Sequence, residues 1–381
     1  MSPDAETVKA LLWTLHQAQQ TVWAWLGALG LTPSQHGQAV WPFGQRLAAE
    51  QLLFDGGQAG RLLVSGAAVV LAAVLLLVSG FWRRARWPLW GGAVLLLVFA
   101  PWPQWSLLTV PTVPTAFHRS PTGFTAASIL EGQRLYGAHC QRCHGDDGSG
   151  EGPDAARLAM WPPTLNGSLL WKRTEGELFW HVRNGLRDRA GRVTMPPASA
   201  ALDDAQLWAL LDFLKAQAAG QTLRKTGAWR FPVRLPDAPL RCRDTASSLH
   251  ALQGQRVRLA LTRGDAHALS DDPRLVTVAV GPGTSPVDCH SDDAALEAAM
   301  AVLVGVAPSA LPGHRLIADR QGWLRVRGRP GVDWSADDLV CRASTPAAQA
   351  APVAAAADGL DGLIRRMDSE PVRQVSGGFP H

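Results

Sequence analysis

From Leu62 to Trp82 the chain reads LLVSGAAVVLAAVLLLVSGFW, an apolar run without a single charge. About 20 apolar residues at helical rise cross a hydrocarbon core of about 30 Å, so the run predicts a transmembrane helix. A water-soluble helix of this length would show a polar face. A second apolar run extends from Trp87 to about Leu108 and is interrupted by Pro101 and Pro103. Trp102 and Trp105 beside those prolines put its last part at the membrane interface. Residues 61–110 therefore read as a transmembrane hairpin. Upstream, in residues 1–60, Val8, Leu11, Leu15, Val22, Trp25 and Leu29 recur at helical spacing, with His16, Gln17, Gln19 and Gln20 among them. An amphipathic helix on the membrane surface fits that pattern. A polar third span is the alternative, disfavoured because such a row of polar side chains is costly in lipid.

Downstream of the hairpin, residues 111–123 hold Pro111, Pro114 and Pro121 and form a short, stiff linker. Ser128–Ala138 has helical periodicity. A second helix starts at Asp203, with Gln206 in the capping-box position, and presents Leu207, Leu210, Leu211 and Leu214 on one face. Residues 235–342 alternate strand-like stretches (Arg256–Leu261, Leu275–Val280) with a helical one, Asp292–Val304. Leu316–Ala318 and Leu324–Val326 flank Asp319-Arg320-Gln321-Gly322, a hairpin signal. Alternation of this kind predicts an α/β domain. Residues 343–381 begin Ala-rich and read as a flexible tail, with a short terminal helix over Leu360–Met367.

Composition sharpens the picture in two places. The net charge is only +4, without a Lys/Arg-rich block or zinc-finger spacing, which excludes a nucleic-acid partner. Tryptophan is abundant, 16 residues against one tyrosine. It crowds into the first segment at Trp23, Trp25, Trp41, Trp82, Trp87, Trp90, Trp102 and Trp105, as interfacial belts do. Arg83, Arg84 and Arg86 lie between the two apolar runs. Positive loops stay cytoplasmic, so the chain after the hairpin is expected outside the cytoplasm, on the periplasmic face of a bacterial inner membrane. A cleavable signal peptide is not expected, since no basic n-region precedes a small-residue cleavage site.

Candidate chemistry is concentrated at Cys140-Gln141-Arg142-Cys143-His144. C-x-x-C-H is the attachment spacing of c-type haem: two thiols three positions apart reach the two vinyl groups on one porphyrin edge, and the next residue is held under the iron. A zinc ribbon would need a second Cys/His pair, which is absent. A thioredoxin-type pair would open a helix rather than close one. Met195, followed by Pro196 and Pro197, is the expected second axial ligand; Met160 lies too near His144 in sequence to cross to the far face. His/Met ligation raises the reduction potential and suits electron transfer.

These residues, from about 124 to 220, resemble the class I c-type cytochromes. That family crosses an N-terminal over a C-terminal helix at the haem edge. Gly132 and Tyr136 match the glycine and aromatic of the first helix. Pro163-Thr164-Leu165-Asn166-Gly167 matches the family's Pro-x-Leu-x-Gly stretch, in which the proline carbonyl accepts a hydrogen bond from the haem-binding histidine. The Gly- and acid-rich insertion Gly145–Pro153 departs from the shorter members. The resemblance implies one covalently attached haem c held by Cys140, Cys143, His144 and Met195, with Pro163 orienting His144.

The expected whole is thus multidomain: an α-helical membrane anchor, an all-α cytochrome c domain (124–220) and an α/β domain (235–342) that resembles a thioredoxin-like fold. That last resemblance rests on the Asp319-x-x-Gly322 hairpin and on strand order; without a second C-x-x-C, dithiol exchange is not expected. Cys242, Cys289 and Cys341 allow at most one intrachain disulfide, and sequence leaves the pairing open. Arg183, Arg187, Arg189 and Arg192 precede Met195 and read either as a basic rim for an acidic redox protein or as an ordinary solvated loop. The functional expectation is an electron-transfer protein rather than an enzyme, with membrane lipid and protein redox partners. The alternatives are a docking subunit of a membrane redox complex and a haem-based small-molecule sensor.

Overall fold

The first apolar pattern forms helix α1 (Ala5–Ala28) in the computed structural model of the chain. The structure describes residues 5–47, 56–102, 104, 109–167, 169–243, 245–262, 272–282, 287–341 and 359–372. Two compact units divide at Phe117/His118.

In the first unit, the two-residue strands β1 (Ser34–Gln35) and β2 (Gln38–Ala39) make a small hairpin. Strand β3 (Gln45–Leu47) pairs antiparallel with β4 (Thr109–Pro111), Arg46 opposite Val110. Trp41, Ala116 and Phe117 form its small core, with Trp23 and Val113 against it. His16 and Gln19 of α1 turn inward. Gln19 Nε2 donates to Leu47 O (3.1 Å), Leu47 N donates to Gln19 Oε1 (2.8 Å), and Trp23 Nε1 donates to Ala39 O (2.7 Å). The uncharged run forms α2 (Gly56–Phe81), and its stretch Gly60–Phe81 is long and apolar enough to cross a membrane.

The second apolar run is shorter as a helix than its hydropathy suggested. Helix α3 (Arg86–Phe99) has 14 residues, about 21 Å at 1.5 Å per residue. It stops at Ala100, whose ψ of 138° is extended, because the residue before a proline is pushed out of the helical region. Residues 103 and 105–108 of that run lie outside the described residues. Helices α2 and α3 pack on each other, and Trp90 Nε1 donates to Ser79 Oγ (3.0 Å).

The second unit opens on α4 (Ala126–His139), N-capped by Thr125, whose side chain accepts from Ser128 N. The short α5 (Gln141–His144) and α6 (Leu169–Lys172) follow, then α7 (Glu175–Asn184), which starts with a Thr174/Glu177 capping box. Strands β5 (Leu186–Arg187) and β6 (Val193–Met195) form a hairpin. Helix α8 (Asp204–Thr226) starts at the expected Asp203/Gln206 capping box and crosses α4. A Cβ on Gly132 would overlap Ala209 O, so only glycine permits this approach. The end of the Pro-rich linker is fastened here: Thr122 Oγ1 and Ser128 Oγ donate to the buried Asp212 (2.5 and 2.6 Å), and Ser120 N donates to Glu175.

Beyond α8 the chain builds a mixed sheet of seven strands, in the order β13-β12-β9-β10-β11-β7-β8. These are β7 (Pro239–Cys242), β8 (Thr245–Ser248), β9 (Val257–Leu261), β10 (Val276–Val280), β11 (Cys289–Ser291), β12 (Arg315–Ala318) and β13 (Leu324–Gly328). The three central strands β9, β10 and β11 are parallel. The Val/Leu/Ala-rich content of β9 and β10 suits strands covered on both faces. The strands and hairpin expected from the pattern are present.

Helix α9 (Ala294–Val304), N-capped by Asp293, packs against both α4 and α8. One buried apolar cluster runs from Ile129 and Leu210 to Leu259, Met300 and Leu316, so cytochrome-like helices and sheet share a core. Cys242 and Cys289, opposite each other on β7 and β11, form a disulfide; Cys341 lies outside it and is buried. Within the stretch expected to be a flexible tail, α10 (Leu360–Ser369) lies on the sheet, burying Leu363, Ile364 and Met367 against Leu275, Ile317 and Val326. Residues 343–358 and 373–381 of that tail lie outside the described residues.

Candidate haem-attachment site

Cys140 closes α4 and starts α5, so the helix end itself sets the spacing. Cys140 N donates to Tyr136 O (2.9 Å), and Cys143 N and His144 N both donate to Cys140 O (3.1 and 2.9 Å). This single turn presents both thiols and the imidazole from one short segment. Cys140 and Cys143 are unpaired with any other cysteine and half-buried. Burial pushes the Cys140 thiol up to about 11, the expected effect of removing a charged form from water.

His144 is partly buried and its Nδ1 is wholly so, without a partner in hydrogen-bonding geometry. The Pro163 backbone is the polar group its ring feels. That contact raises its proton affinity, but burial lowers it more, so the ring is held neutral at higher acidity than usual. A neutral imidazole is what iron ligation requires.

The loop after His144 is held by three side chains. Tyr136 Oη donates to Gly145 O (2.6 Å), Gln217 Nε2 to Asp146 O (2.6 Å) and Asn166 Nδ2 to Asp147 O (2.7 Å). Tyr136 was expected only to fill the helix crossing, where it does contact Phe213 (ring centroids 5.3 Å apart). Its hydroxyl and the two amides are positioning groups that the motif did not reveal. The one available signal was that Tyr136 is the sole tyrosine in the chain, since a buried phenol normally finds an acceptor.

Met195 ends β6, half-buried, paired with Leu186 across the hairpin. Met160 instead faces solvent, 58% exposed. The four arginines before Met195 are unequal. Arg183 pairs with Asp204 (3.0 Å) and Arg192 with Asp188 (2.7 Å), while Arg187 donates to Gly191 O and Arg189 is exposed. The hairpin also exposes Leu186 and Val193.

A covalent haem fits these residues. Two thiols left out of the disulfide stand beside a desolvated imidazole that retains an orphaned ring nitrogen, all on one turn. Among the described residues no cluster of His, Cys, Asp and Glu suits a bare metal ion.

Residues 127–214 match the family model described as cytochrome c oxidase, cbb3-type, subunit III. No curated protein matches the chain. Among solved structures, one similar chain belongs to the reducing HAO-like protein complex of Kuenenia stuttgartiensis. It is 20% identical, with a TM-score of 0.23, over 33% of this chain and 59% of that one. This chain therefore spans under two thirds of that neighbour's length, and so loose a superposition relates no fold. The matched stretch contains the C-x-x-C-H turn, and the match supports a c-type cytochrome domain within this part of the chain.

Proposed function

We propose that the chain is a membrane-anchored monohaem cytochrome c that transfers single electrons in a periplasmic redox chain. The observation that carries this reading is the Cys140–His144 turn, with two unpaired thiols and a neutral, desolvated imidazole, within the matched cytochrome stretch. Cys140 and Cys143 would hold the haem by thioethers, and His144 and Met195 would ligate its iron. When bound, the haem supplies a one-electron iron couple.

The protein's part is to keep that couple's surroundings fixed. The Pro163 backbone orients His144 and leaves its other nitrogen for iron. Tyr136, Gln217 and Asn166 clamp the loop behind it. The hairpin β5–β6 carries Met195 and stiffens it between Leu186 and the Pro196-Pro197 pair. Two permanent ligands on a fixed scaffold leave little to reorganise when the charge changes. The exposed Arg187, Arg189 and Arg192, beside Leu186 and Val193, suit an acidic redox protein with an apolar centre. Helix α2 supplies the anchor in membrane lipid, and the strand order of the sheet favours a thioredoxin-like C-terminal module.

A docking-subunit role is favoured by one further observation, the seven-strand sheet fused to the cytochrome core. A small-molecule sensor would need Met195 to leave the iron. The test of the main reading is a pyridine haemochrome spectrum with the intact mass, on protein from a host that attaches haem c. One haem per chain and a mass increased by one haem are expected. A colourless protein at the mass of the bare chain, or two haems, overturns the reading.

A further inference from the structure

Helix α1 is amphipathic in the reverse sense for a helix on a protein surface. Its inward side carries His16 and Gln19, both buried, and Trp23. Gln19 hydrogen-bonds to β3 and Trp23 to the β1–β2 hairpin, as described, while the His16 ring meets Gln20 Nε2 (2.8 Å) on α1 itself. Its exposed positions among the described side chains are Thr14, Ala18, Thr21, Val22, Ala24, Trp25 and Ala28, and the exposed Leu29 follows directly after its last residue. None is charged and none carries an amide. Thr21 Oγ1 is turned back onto Gln17 O (2.9 Å), removing its hydroxyl from the outer face. Trp25 is 67% and Leu29 70% exposed, and Leu31 (67%) and Phe43 (54%) of the same unit are exposed as well. An exposed apolar helix face of this kind marks a surface that meets lipid or another protein.

The topology of the same unit decides between them. Strand β3 precedes α2 and β4 follows α3, yet the two strands are paired residue for residue. Both ends of the α2–α3 segment therefore emerge on one side of the membrane that α2 enters. The packing of α1 on β3, through Gln19, places the middle of α1 on that same side. A helix whose centre is bonded to a strand outside the bilayer does not span it. Only residues 48–55 separate β3 from α2, a reach of at most about 30 Å. The body that carries α1 is thus tethered close to the bilayer surface, with an uncharged face and an exposed tryptophan available to it. Trp25 is the residue type that membrane interfaces favour.

We propose that α1 lies along the membrane surface, on the side where the chain continues into the cytochrome domain, with Val22, Trp25 and Leu29 set into the lipid interface. The helix is a second membrane contact besides α2; this rests on the membrane-anchored reading but not on the haem chemistry. In this arrangement α1 is not itself a membrane span. The contact restricts the rotation of the unit about its α2–α3 tether.

The test uses the full chain in vesicles of phosphatidylcholine and phosphatidylglycerol, with a nitroxide label at one engineered cysteine per variant. Trp25→Cys and Leu29→Cys are the test sites. Leu77→Cys, on the exposed side of α2, is the lipid reference, and Arg320→Cys, in an exposed turn of the sheet, is the water reference. Collision rates with oxygen, which partitions into lipid, and with a water-soluble nickel chelate are compared. The oxygen-to-nickel ratio at positions 25 and 29 is expected severalfold above that at position 320 and near that at position 77. A ratio near the water reference overturns the proposal. So does suppression of both collisions, which would mean that protein covers the face. Haem content, measured on the same samples, separates failure of this proposal from failure of the cytochrome reading.

Discussion

Among single residues, Met195 carries the sharpest consequence. A thioether ligand raises the potential of a histidine-ligated haem iron, and in the proposed site Cys140 and Cys143 would attach the haem independently of it. Met195→Ala is therefore expected to retain a full complement of covalent haem. Its reduction potential falls, and its reduced form gains rapid carbon monoxide binding at the opened position. Redox titration and flash photolysis read the two effects, and an unchanged potential would show that another residue ligates. Candidates of this kind are legible in sequence because the C-x-x-C-H spacing of Cys140, Cys143 and His144 is local. Tyr136, Gln217 and Asn166 were not, since their roles arise from hydrogen bonds to Gly145, Asp146 and Asp147 carbonyls that folding brings near. No local pattern encodes such long-range pairs.

At the level of elements, periodicity predicted best where one chain segment forms its own structure. The capping box at Asp203/Gln206 and the β12–β13 hairpin around Asp319–Gly322 stand as expected. The short strands β7, β8 and β11 escaped notice because three or four residues give no period, and the Cys242–Cys289 pairing follows only from their register. Helix α10 was legible as a helix but not as a docked one. Its position rests on Leu363, Ile364 and Met367 and on an ionic bridge: Arg274 pairs with Asp272 (2.6 Å) and Asp361 (2.5 Å), while Arg256 pairs with Asp368 (2.5 Å). Arg274 holds the Asp272 carboxyl down at about 2, below its ordinary 3.8. A depressed carboxylate contributes stability above its unfolded value, and the contribution is lost as pH falls through the folded one. Docking of α10 is therefore expected to weaken between about pH 4 and pH 2. Hydrogen exchange of its amides should accelerate across that window in the native chain. In Asp272→Asn the exchange is faster at neutral pH and the acid step is smaller; an undiminished step would assign it to another group.

For the whole molecule, the decisive contact is the one between the cytochrome helices and the sheet, which the sequence divided into separate domains at 220 and 235. The chain between those positions does not act as a loose connector. Trp229 is buried, and its Nε1 donates to Leu303 O (3.2 Å) at the end of α9. Gly220 on α8 meets α9 so closely that a Cβ there would overlap Val302 O, and one on Gly305 would overlap Gly220 O. Two glycines facing each other let the helices touch backbone to backbone. Sequence cannot reveal such a contact, because each glycine reads locally as a helix end or a weak helical residue. The contact also means that deleting residues 235–381 would strip α9 from α4 and α8 and damage the cytochrome itself, so a change in electron transfer after that deletion would not identify a docking module. A point change separates the possibilities. Gly220→Val is expected to force α8 and α9 apart, at about 1–3 kcal/mol for overpacking, lowering the melting temperature by several degrees. Because one core spans both parts, haem absorbance and far-ultraviolet circular dichroism should report a single transition that shifts together in the variant. If the haem region and the sheet melt at separate temperatures, and the substitution moves only one of them, the shared core does not couple their stabilities.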